Sequence, residues 1–213
     1  MNGVACRLPM AFNEVSGELR VTATNKFEGM TKGLVCGDCI RVHNLDSKKS
    51  TVVMIIDFGG DGGLDLCPEA FKTIDTKDGT GHANGKMNVE WEKTNCDDLL
   101  GNENIKYRYK AGSTWNYWMG VSIIGHKVPL SRENAVHISD NENDPKSWFK
   151  CKDNGANGYW MCGGHPKYDE NKPMYFRIES IDKQVLIDEI SEIEPADEGR
   201  FINSFRGAQF KKC

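Results

Sequence analysis

Short apolar runs interrupted by turn residues dominate the first half of the chain, and they predict β-strands. The runs are rich in β-branched residues, which pack well on a pleated surface. They lie at 17–25 (GELRVTATN), 39–45 (CIRVHNL) and 50–58 (STVVMIIDF).

Strict alternation marks a further strand at 85–96 (GKMNVEWEKTNC). Met87, Val89 and Trp91 occupy one face of this segment, and polar residues occupy the other. The one good helix start is at 67–75 (CPEAFKTID), where a proline and a glutamate lie in the first turn.

The second half of the chain is a succession of short strands with no predicted helix. After a short polar linker, DDLLGNEN, the strands are IKYRYKA, YWMGVSIIG, NAVHIS, SWFKCK, YWMCGG, MYFRIES and QVLIDEI. Short strands at regular spacing are typical of a β-sandwich.

Composition and charge exclude several functional classes. The chain has 213 residues, 38% of them hydrophobic, a net charge of −4 and a mean hydropathy of −0.56. This balance gives no general reason to bind nucleic acid or an anionic membrane. No apolar run approaches the ~18 residues of a membrane span. We therefore expect no nucleic-acid partner and no membrane partner. We also expect a monomer.

Eight cysteines are many for a chain of this size, and two of them form the motif CGDC at 36–39. A CxxC pair can be a redox motif or half of a zinc site, but no second CxxC completes a zinc ribbon. The chain continues after Cys39 as a strand, whereas a redox motif normally opens a helix. Structural disulfides formed in an oxidising compartment are the favoured interpretation.

A glycine-rich stretch, VVMIIDFGGDGGLDLCPEAF at 52–71, carries Asp57, Asp61 and Asp65. These acids are candidates for catalytic carboxylates, metal ligands or the polar residues of a turn. The stretch lacks the companion motifs of a kinase, the pattern of a phosphate-binding loop and the spacing of a calcium loop. On local pattern alone, a glycine-rich turn is favoured.

The order of these motifs resembles the expansin family, and especially its microbial expansin-like branch. The family pattern is a strand ending in Asp, a Gly/Pro loop, (H/A)-(F/L)-D-L-S-P-x-A-F, a V-x-W strand and a short linker. Here the parts are VVMIIDFGG, GLDLCPEAF, MNVEWEKTNC and DDLLGNEN. The second half follows with IKYRYKAGSTWNYWMGVSIIGHKVPL, MYFRIESIDKQVLIDEI and FRGAQF, the last matching a C-terminal strand.

The resemblance implies a mainly β fold with two domains. A six-stranded double-psi β-barrel occupies 1–96, a linker 97–104, and an immunoglobulin-like β-sandwich that binds carbohydrate 105–213. Expansins loosen plant cell walls without detectable hydrolysis, by disrupting non-covalent contacts between cellulose and matrix glycans. We therefore expect a secreted protein of the extracellular cell wall that binds cellulose and matrix polysaccharides. We expect no cofactor, and since the five histidines form no HxxxH or HxH pair, no metal site.

By the same resemblance, Asp65 takes the role of the family's essential carboxylate and Asp57 that of the aspartate ending the preceding strand. Since Asp65 lies between two leucines, we expect it to be partly buried at the floor of a groove. There it accepts hydrogen bonds from sugar hydroxyls. A serine of the family motif is replaced by Cys67, whose thiol is a poor helix cap.

The family's first-strand element, Y-x-T-Y, has no counterpart before MNGVACRLP, so the first barrel strand is expected to be missing or altered. Inverting endoglucanases that share this barrel carry their general base on that strand. We therefore expect a non-enzymatic protein. The alternative is a carbohydrate-active enzyme, an endoglucanase or a lytic transglycosylase, that uses Asp65 as general acid.

Aromatic residues of the second half are candidates for stacking on pyranose rings. By the resemblance, Tyr117 and Trp118 take two adjacent aromatic positions, and Tyr159 or Trp160 takes a third. Trp115 is a further candidate, whereas we expect Trp148 in the core. Alternation along a strand prevents Tyr117 and Trp118 from both facing inward.

The resemblance also implies two disulfides, Cys6–Cys36 and Cys39–Cys96. A third, Cys151–Cys162, is predicted from the residues themselves, because two Asn-Gly turn signals lie between these cysteines. Cysteines that face each other across a hairpin are close enough to bond. Cys67 and Cys213 then remain, and we expect both to be thiols.

Overall fold

The computed structural model describes residues 20–24, 33–59, 63–114, 117–154, 158–169, 171–190 and 202–211. Its first sheet contains the strands β1 (Val21–Thr24), β2 (Cys39–Asn44), β3 (Ser50–Phe58), β4 (Leu64–Leu66) and β5 (Val89–Thr94). The strand order is β4-β1-β3-β2-β5, and the sheet curls as a half-barrel. β1 runs parallel to β3, and the other pairs are antiparallel.

β1 lies within the strand that the sequence predicts at 17–25. Val21–Thr24 forms a strand between β3 and β4. This segment follows MNGVACRLP, so the expectation that the barrel's first strand is missing or altered stays a prediction. The sequence of β1, VTAT, is β-branched at three of four positions, which suits a strand paired on both sides.

Short helices connect the later strands of the first half. They are α1 (Pro68–Ile74), α2 (Thr80–Asn84) and α3 (Asp97–Leu100). α1 begins at the predicted proline, and its Ala70 and Ile74 are buried against the sheet. The segment we expected to be a polar linker forms α3, because Leu99 and Leu100 are buried in the core of the first half.

The second half forms two sheets that pack face to face. The strands are β6 (Lys106–Tyr109), β7 (Trp118–Ile124), β8 (Val136–Ser139), β9 (Phe149–Lys150), β10 (Lys152–Asp153), β11 (Trp160–Gly163), β12 (Met174–Glu179), β13 (Val185–Ile190) and β14 (Ile202–Asn203). One sheet has the order β10-β11-β7-β6-β14 and the other β13-β12-β8-β9. The segment FRGAQF, expected to be a strand, begins as a turn at 205–206 and continues without regular structure.

Two hydrophobic clusters form the interior, one for each half of the chain. Met54, Ile55 and Ile74 belong to the first cluster, while Met119 and Phe176 belong to the second. Met87, Val89 and Trp91 pack against the first cluster, as their alternation predicts. The predicted fold class, a barrel-type sheet followed by a β-sandwich, is confirmed. The domain bounds expected from the sequence stay a prediction.

The motif CGDC packs against the second half, and we call this contact the CGDC junction, formed by 36–39 and 123–130. Asp38 is completely buried, and its carboxylate accepts the N–H groups of Val35 at 3.0 Å and Leu130 at 3.2 Å. Gly37 has a φ of +89°, and a Cβ there would lie 2.9 Å from Nε2 of His126. Glycine adopts this positive φ without strain, and it has no Cβ to collide with His126.

Disulfides reinforce both halves. Cys39–Cys96 and Cys151–Cys162 are present as predicted. Cys36 is disulfide-bonded, but Cys6, its expected partner, lies outside the described residues, as does Cys213. CGDC is therefore a structural motif, because both of its cysteines are used in disulfides.

Candidate functional site

Two carboxylates flank one small residue on the surface of the first sheet. Ala23 of β1 pairs with Asp57 of β3 on one side and with Asp65 of β4 on the other. Directly paired residues share a face of a sheet, and two strand spacings separate the acids by about 10 Å between Cα atoms. The methyl group of Ala23 leaves the space between the two acids open.

The loop between these acids begins directly after β3. Asp57 accepts the N–H of Phe58 at 2.8 Å, and this bond orients its carboxylate at the strand end. Thr22, on the opposite face of β1, is buried and donates its hydroxyl to the carbonyls of Ala23 and Asp65. Asp61 lies outside the described residues. The backbone that carries the acids is thus fixed from the core side.

Asp65 differs from expectation in its burial. We expected partial burial between Leu64 and Leu66, but Asp65 is exposed, and only the leucines pack against the core. The physical reason is alternation, because the flanking residues of a strand point to the opposite face and cannot desolvate it. Asp65 is therefore accessible to a polymeric ligand.

Cys67 links β4 to α1. Its Sγ accepts the N–H of Val21 at 3.4 Å, whereas no side-chain bond caps α1. The sulfur therefore supports the pairing of β1 with β4, and through it the position of Asp65. Cys67 is a thiol in the structure, as expected.

A second candidate surface lies on the five-stranded sheet of the second half. Trp118 begins β7 and pairs with Gly163 of β11. A Cβ at Gly163 would lie 3.2 Å from Cδ1 of the indole, so glycine leaves the space that the ring occupies. The Nζ of Lys110 lies 5.8 Å from the centre of the Trp118 ring. We call this surface the Trp118 face.

Basic and small side chains complete the Trp118 face. Lys110 lies over Gly120. A Cβ at Gly120 would be 3.0 Å from the Cβ of Lys110 and 3.3 Å from Sδ of Met161. Since glycine has no side chain at this position, the lysine stem and the Met161 thioether pack closely beside the indole. Sequence reasoning missed Gly120, Met161 and Gly163. For the two glycines, a position without a side chain on a strand near an aromatic residue is a usable signal.

The remaining aromatic candidates have different positions. Tyr117 is 73% exposed, in the turn before β7. Tyr159 and Trp160 are buried, which corrects the expectation that one of them lies on the surface. The pairing of Trp160 with Val121 directs its ring into the core. Trp115 lies outside the described residues, and Trp148 is half-buried.

β7 joins the Trp118 face to the core of the first half. Ile124, at the end of this strand, packs in the hydrophobic cluster of the first half. Trp118 lies at its other end, about 20 Å away at the rise of an extended strand. The Trp118 face thus lies at the end of β7 opposite the CGDC junction.

Metal ions and membrane helices have no visible place in the described part of the chain. No group of three or more His, Cys, Asp or Glu side chains there could hold a metal ion. No described helix is long and apolar enough to span a bilayer.

Comparisons with known proteins agree with this architecture. The Barwin family matches residues 19–96. The apo crystal structure of the Clavibacter michiganensis expansin is 19% identical in sequence, with a TM-score of 0.66, and covers 91% of this chain and 84% of that chain. A mutant of that expansin in complex with cellohexaose is 18% identical, with the same TM-score and coverage. The predicted resemblance to the expansin family is confirmed by the shared fold and by the Barwin segment.

Proposed function

We propose that this protein binds cellulose and matrix polysaccharides and loosens plant cell walls without hydrolysis, by disrupting non-covalent contacts between the polymers. The observation that carries the proposal is the Trp118 face, in which a half-buried indole is held beside an exposed tyrosine and a lysine. Aromatic faces stack on the C–H faces of pyranose rings, and a row of them suits a linear glucan. The Clavibacter expansin with cellohexaose supports the same ligand class.

The acidic surface of the first half supplies the second element of the proposal. Asp65 is exposed on the sheet face that it shares with Asp57. Exposed carboxylates accept hydrogen bonds from sugar hydroxyls and compete with the bonds that join one glycan to another. Such exchange of hydrogen bonds requires no bond cleavage.

The non-hydrolytic character of the expansin family supports the non-enzymatic interpretation. The disulfides support secretion to an extracellular cell wall, since disulfides persist in oxidising compartments.

A second candidate function, a carbohydrate-active enzyme, is favoured by one observation. Asp57 and Asp65 lie on the same face, on either side of Ala23. Two carboxyl groups about 6.5–9.5 Å apart suit an inverting glycosidase. In that case Asp65 acts as general acid of an endoglucanase, or alone as that of a lytic transglycosylase.

One experiment separates the two functions. The protein is incubated with cellulose, xylan, chitin and peptidoglycan, and bound protein and released reducing sugar are both measured. Filter paper is tested for mechanical weakening in parallel. We expect binding and weakening without sugar release, and loss of the weakening in Asp65→Asn. Steady sugar release that vanishes in Asp65→Asn would establish the enzyme instead.

A further inference from the structure

β13 (Val185–Ile190) is an edge strand of the four-stranded sheet in the second half. Its pairing with β12 is regular over all six residues, and no bulge interrupts it. The strand contains no proline and no lysine. Natural sheets protect an exposed edge with such residues or with bulges, because an open edge pairs readily with another strand. The edge of β13 lacks these forms of protection.

The backbone groups of Val185 and Ile187 point out of the sheet at this edge. The N–H of Glu179 donates to the carbonyl of Ala135, on the β8 side of β12. Because bonded pairs alternate in antiparallel pairing, Glu179 forms a non-bonded pair with Val185, and the same holds two residues further on, at Ile187. In the described part of the chain, no residue bonds to the N–H or C=O groups of these two residues. The edge therefore offers two donors and two acceptors.

Exposed apolar side chains accompany these backbone groups. Val185 is 43% exposed and Ile187 is 36% exposed. Alternation places both on the outer face of the sheet, since Leu186 between them packs against the core. Both are β-branched, a type of side chain that packs well beside another strand. Backbone and side chains at this edge thus suit a strand as the partner.

The C-terminal segment leaves this part of the edge open. The N–H of Arg206 donates to the buried carboxylate of Asp188 at 3.0 Å. The N–H of Lys211 donates to the side chain of Gln184 at 2.9 Å. Both acceptor residues alternate with the two exposed apolar residues, so they point to the inner face. These bonds hold the described C-terminal segment on the inner side of β13, and the outer side stays accessible.

A second copy of the same edge is the partner that β13 fits. When Val185 of one copy lies opposite Ile187 of the other, antiparallel pairing is two-fold symmetric. The open donors and acceptors of the two copies then form four backbone hydrogen bonds. The same register places the β-branched side chains of both copies next to each other on one face. All the open groups at this edge are satisfied in this pairing.

Charge selects the antiparallel orientation. The same register brings Lys183 of each copy next to Glu189 of the other, at both ends of the contact. Parallel pairing would instead place Lys183 beside Lys183 and Glu189 beside Glu189. Lys183 already lies 3.2 Å from Glu179, and Glu189 lies 3.0 Å from Arg206. These exposed charges therefore add little affinity and mainly determine the orientation of the pair.

We propose that two copies of this chain associate through the outer edges of β13, in an antiparallel pairing centred on Leu186. The two-fold axis is perpendicular to the joined sheet, so the Trp118 faces of both copies point to the same side. The use of this pair rests on the proposed function. Two aromatic faces that point the same way can attach to one polymer surface, where the second contact is intramolecular.

The first test uses the full chain without substitution. Sedimentation velocity at rising concentration should show a shift from monomer to dimer. Hydrogen exchange should slow at the amides of Val185 and Ile187 as the dimer forms, and it should not change at Leu186, which is already bonded to β12. A monomer at every concentration up to the solubility limit overturns the proposal. A dimer in which the two outward amides still exchange fast also overturns it.

The second test removes one backbone donor. Proline is tolerated on an edge strand where the missing N–H faces solvent, so Ile187→Pro should keep the fold. The dimer loses two of its four bonds, and its dissociation constant should rise about tenfold or more. Val185→Ala keeps every backbone group and is the matched control, with a dissociation constant within about threefold of wild type. Circular dichroism checks the fold. A folded Ile187→Pro that dimerises as wild type overturns the proposal, and if this variant unfolds, the exchange measurement decides.

Binding to cellulose separates this inference from the proposed function. Ile187→Pro should bind soluble cellohexaose as wild type does, but crystalline cellulose should retain it less, because it offers one Trp118 face where the dimer offers two. A dimer that binds no polysaccharide supports the association and overturns the proposed function. A monomer that binds cellulose overturns the association and leaves the proposed function standing.

Discussion

Glycines determine the shape of the Trp118 face at the scale of single residues. Gly163 leaves space for the indole, and Gly120 leaves space for the stem of Lys110. A side chain at either position would force the aromatic or the basic group to shift by a few tenths of an ångström or more. Two glycines without side chains therefore determine where the indole and the lysine lie on this surface.

The first prediction concerns Trp118. The ring is half-buried, and the proposed function has it stack on the polysaccharide. Trp118→Ala should therefore weaken binding to crystalline cellulose about 3- to 10-fold, the effect of one aromatic contact, while the fold persists. Binding isotherms measure the affinity, and circular dichroism measures the fold. Val185→Ala, an exposed change on the other sheet, is the control. Unchanged binding, or unfolding, shows that Trp118 has no surface role.

At the scale of the secondary-structure elements, a disulfide joins the segment after β9 to β11. Cys151 follows β9 and Cys162 lies on β11, and their disulfide closes a loop of 11 residues. Both cysteines are buried in the cluster of the second half. The bond therefore fixes the strands that carry Gly163 and Met161 beside Trp118.

Removal of this disulfide is the second prediction. Cys151→Ala/Cys162→Ala should lower the free energy of unfolding by about 2–3 kcal/mol, since the unfolded chain gains the entropy of an open loop. Urea titration measures the change. In Cys67→Ser the hydroxyl still accepts the N–H of Val21, so this control should stay close to wild type. A double variant as stable as the control contradicts a stabilising role.

At the scale of the whole molecule, two buried titratable groups, Asp38 and His126, lie where the two halves meet at the CGDC junction. Burial raises the pKa of Asp38 to about 7, although Lys93 lies 3.9 Å away and two N–H groups donate to the carboxylate. Burial lowers the pKa of His126 to about 4. Between these values both groups are uncharged, so the two halves meet without a buried charge on either side chain at mildly acidic pH.

The sign of the pH dependence follows from linkage. The folded-state pKa of Asp38 lies above its value of 3.8 in the unfolded chain, so its contribution to stability is fully present below about pH 4 and falls as pH rises to about 7. The pKa of His126 lies below 6.5, so its contribution falls as pH drops from about 6.5 to about 4. Between about pH 4 and 6.5, the contribution of Asp38 to stability therefore falls with rising pH while that of His126 rises.

The third prediction concerns Asp38→Asn, which removes the contribution of Asp38 to the pH dependence of stability. An amide leaves an N–H donor opposite a backbone N–H, so the variant should be less stable at pH 4.5 by about 1–3 kcal/mol. Between pH 4.5 and 7 the deficit should shrink, by at most about 1.4 kcal/mol per pH unit, because the unfolded wild type releases the Asp38 proton in this range while the folded wild type keeps it. Urea titrations at both pH values measure the difference. A deficit that does not change with pH contradicts the raised pKa.

Sequence by itself determined the elements whose signal is local. The alternation of Met87, Val89 and Trp91 fixed the buried face of β5, because a strand places successive side chains on opposite faces. Asn-Gly signals identified the hairpin that brings Cys151 and Cys162 together. These features depend on neighbours within a few residues, and the resemblance to expansins supplied the fold class.

Only the tertiary structure decided the features that depend on partners distant in sequence. Ala23 lies between Asp57 and Asp65 through pairings that span more than 30 residues. Trp160 is buried because its register with Val121 directs it inward, although its local pattern suits either face. α3 exists because its leucines find a core outside their own segment. The local pattern shows which residues of a strand share a face, but strand pairing and packing decide which face is buried.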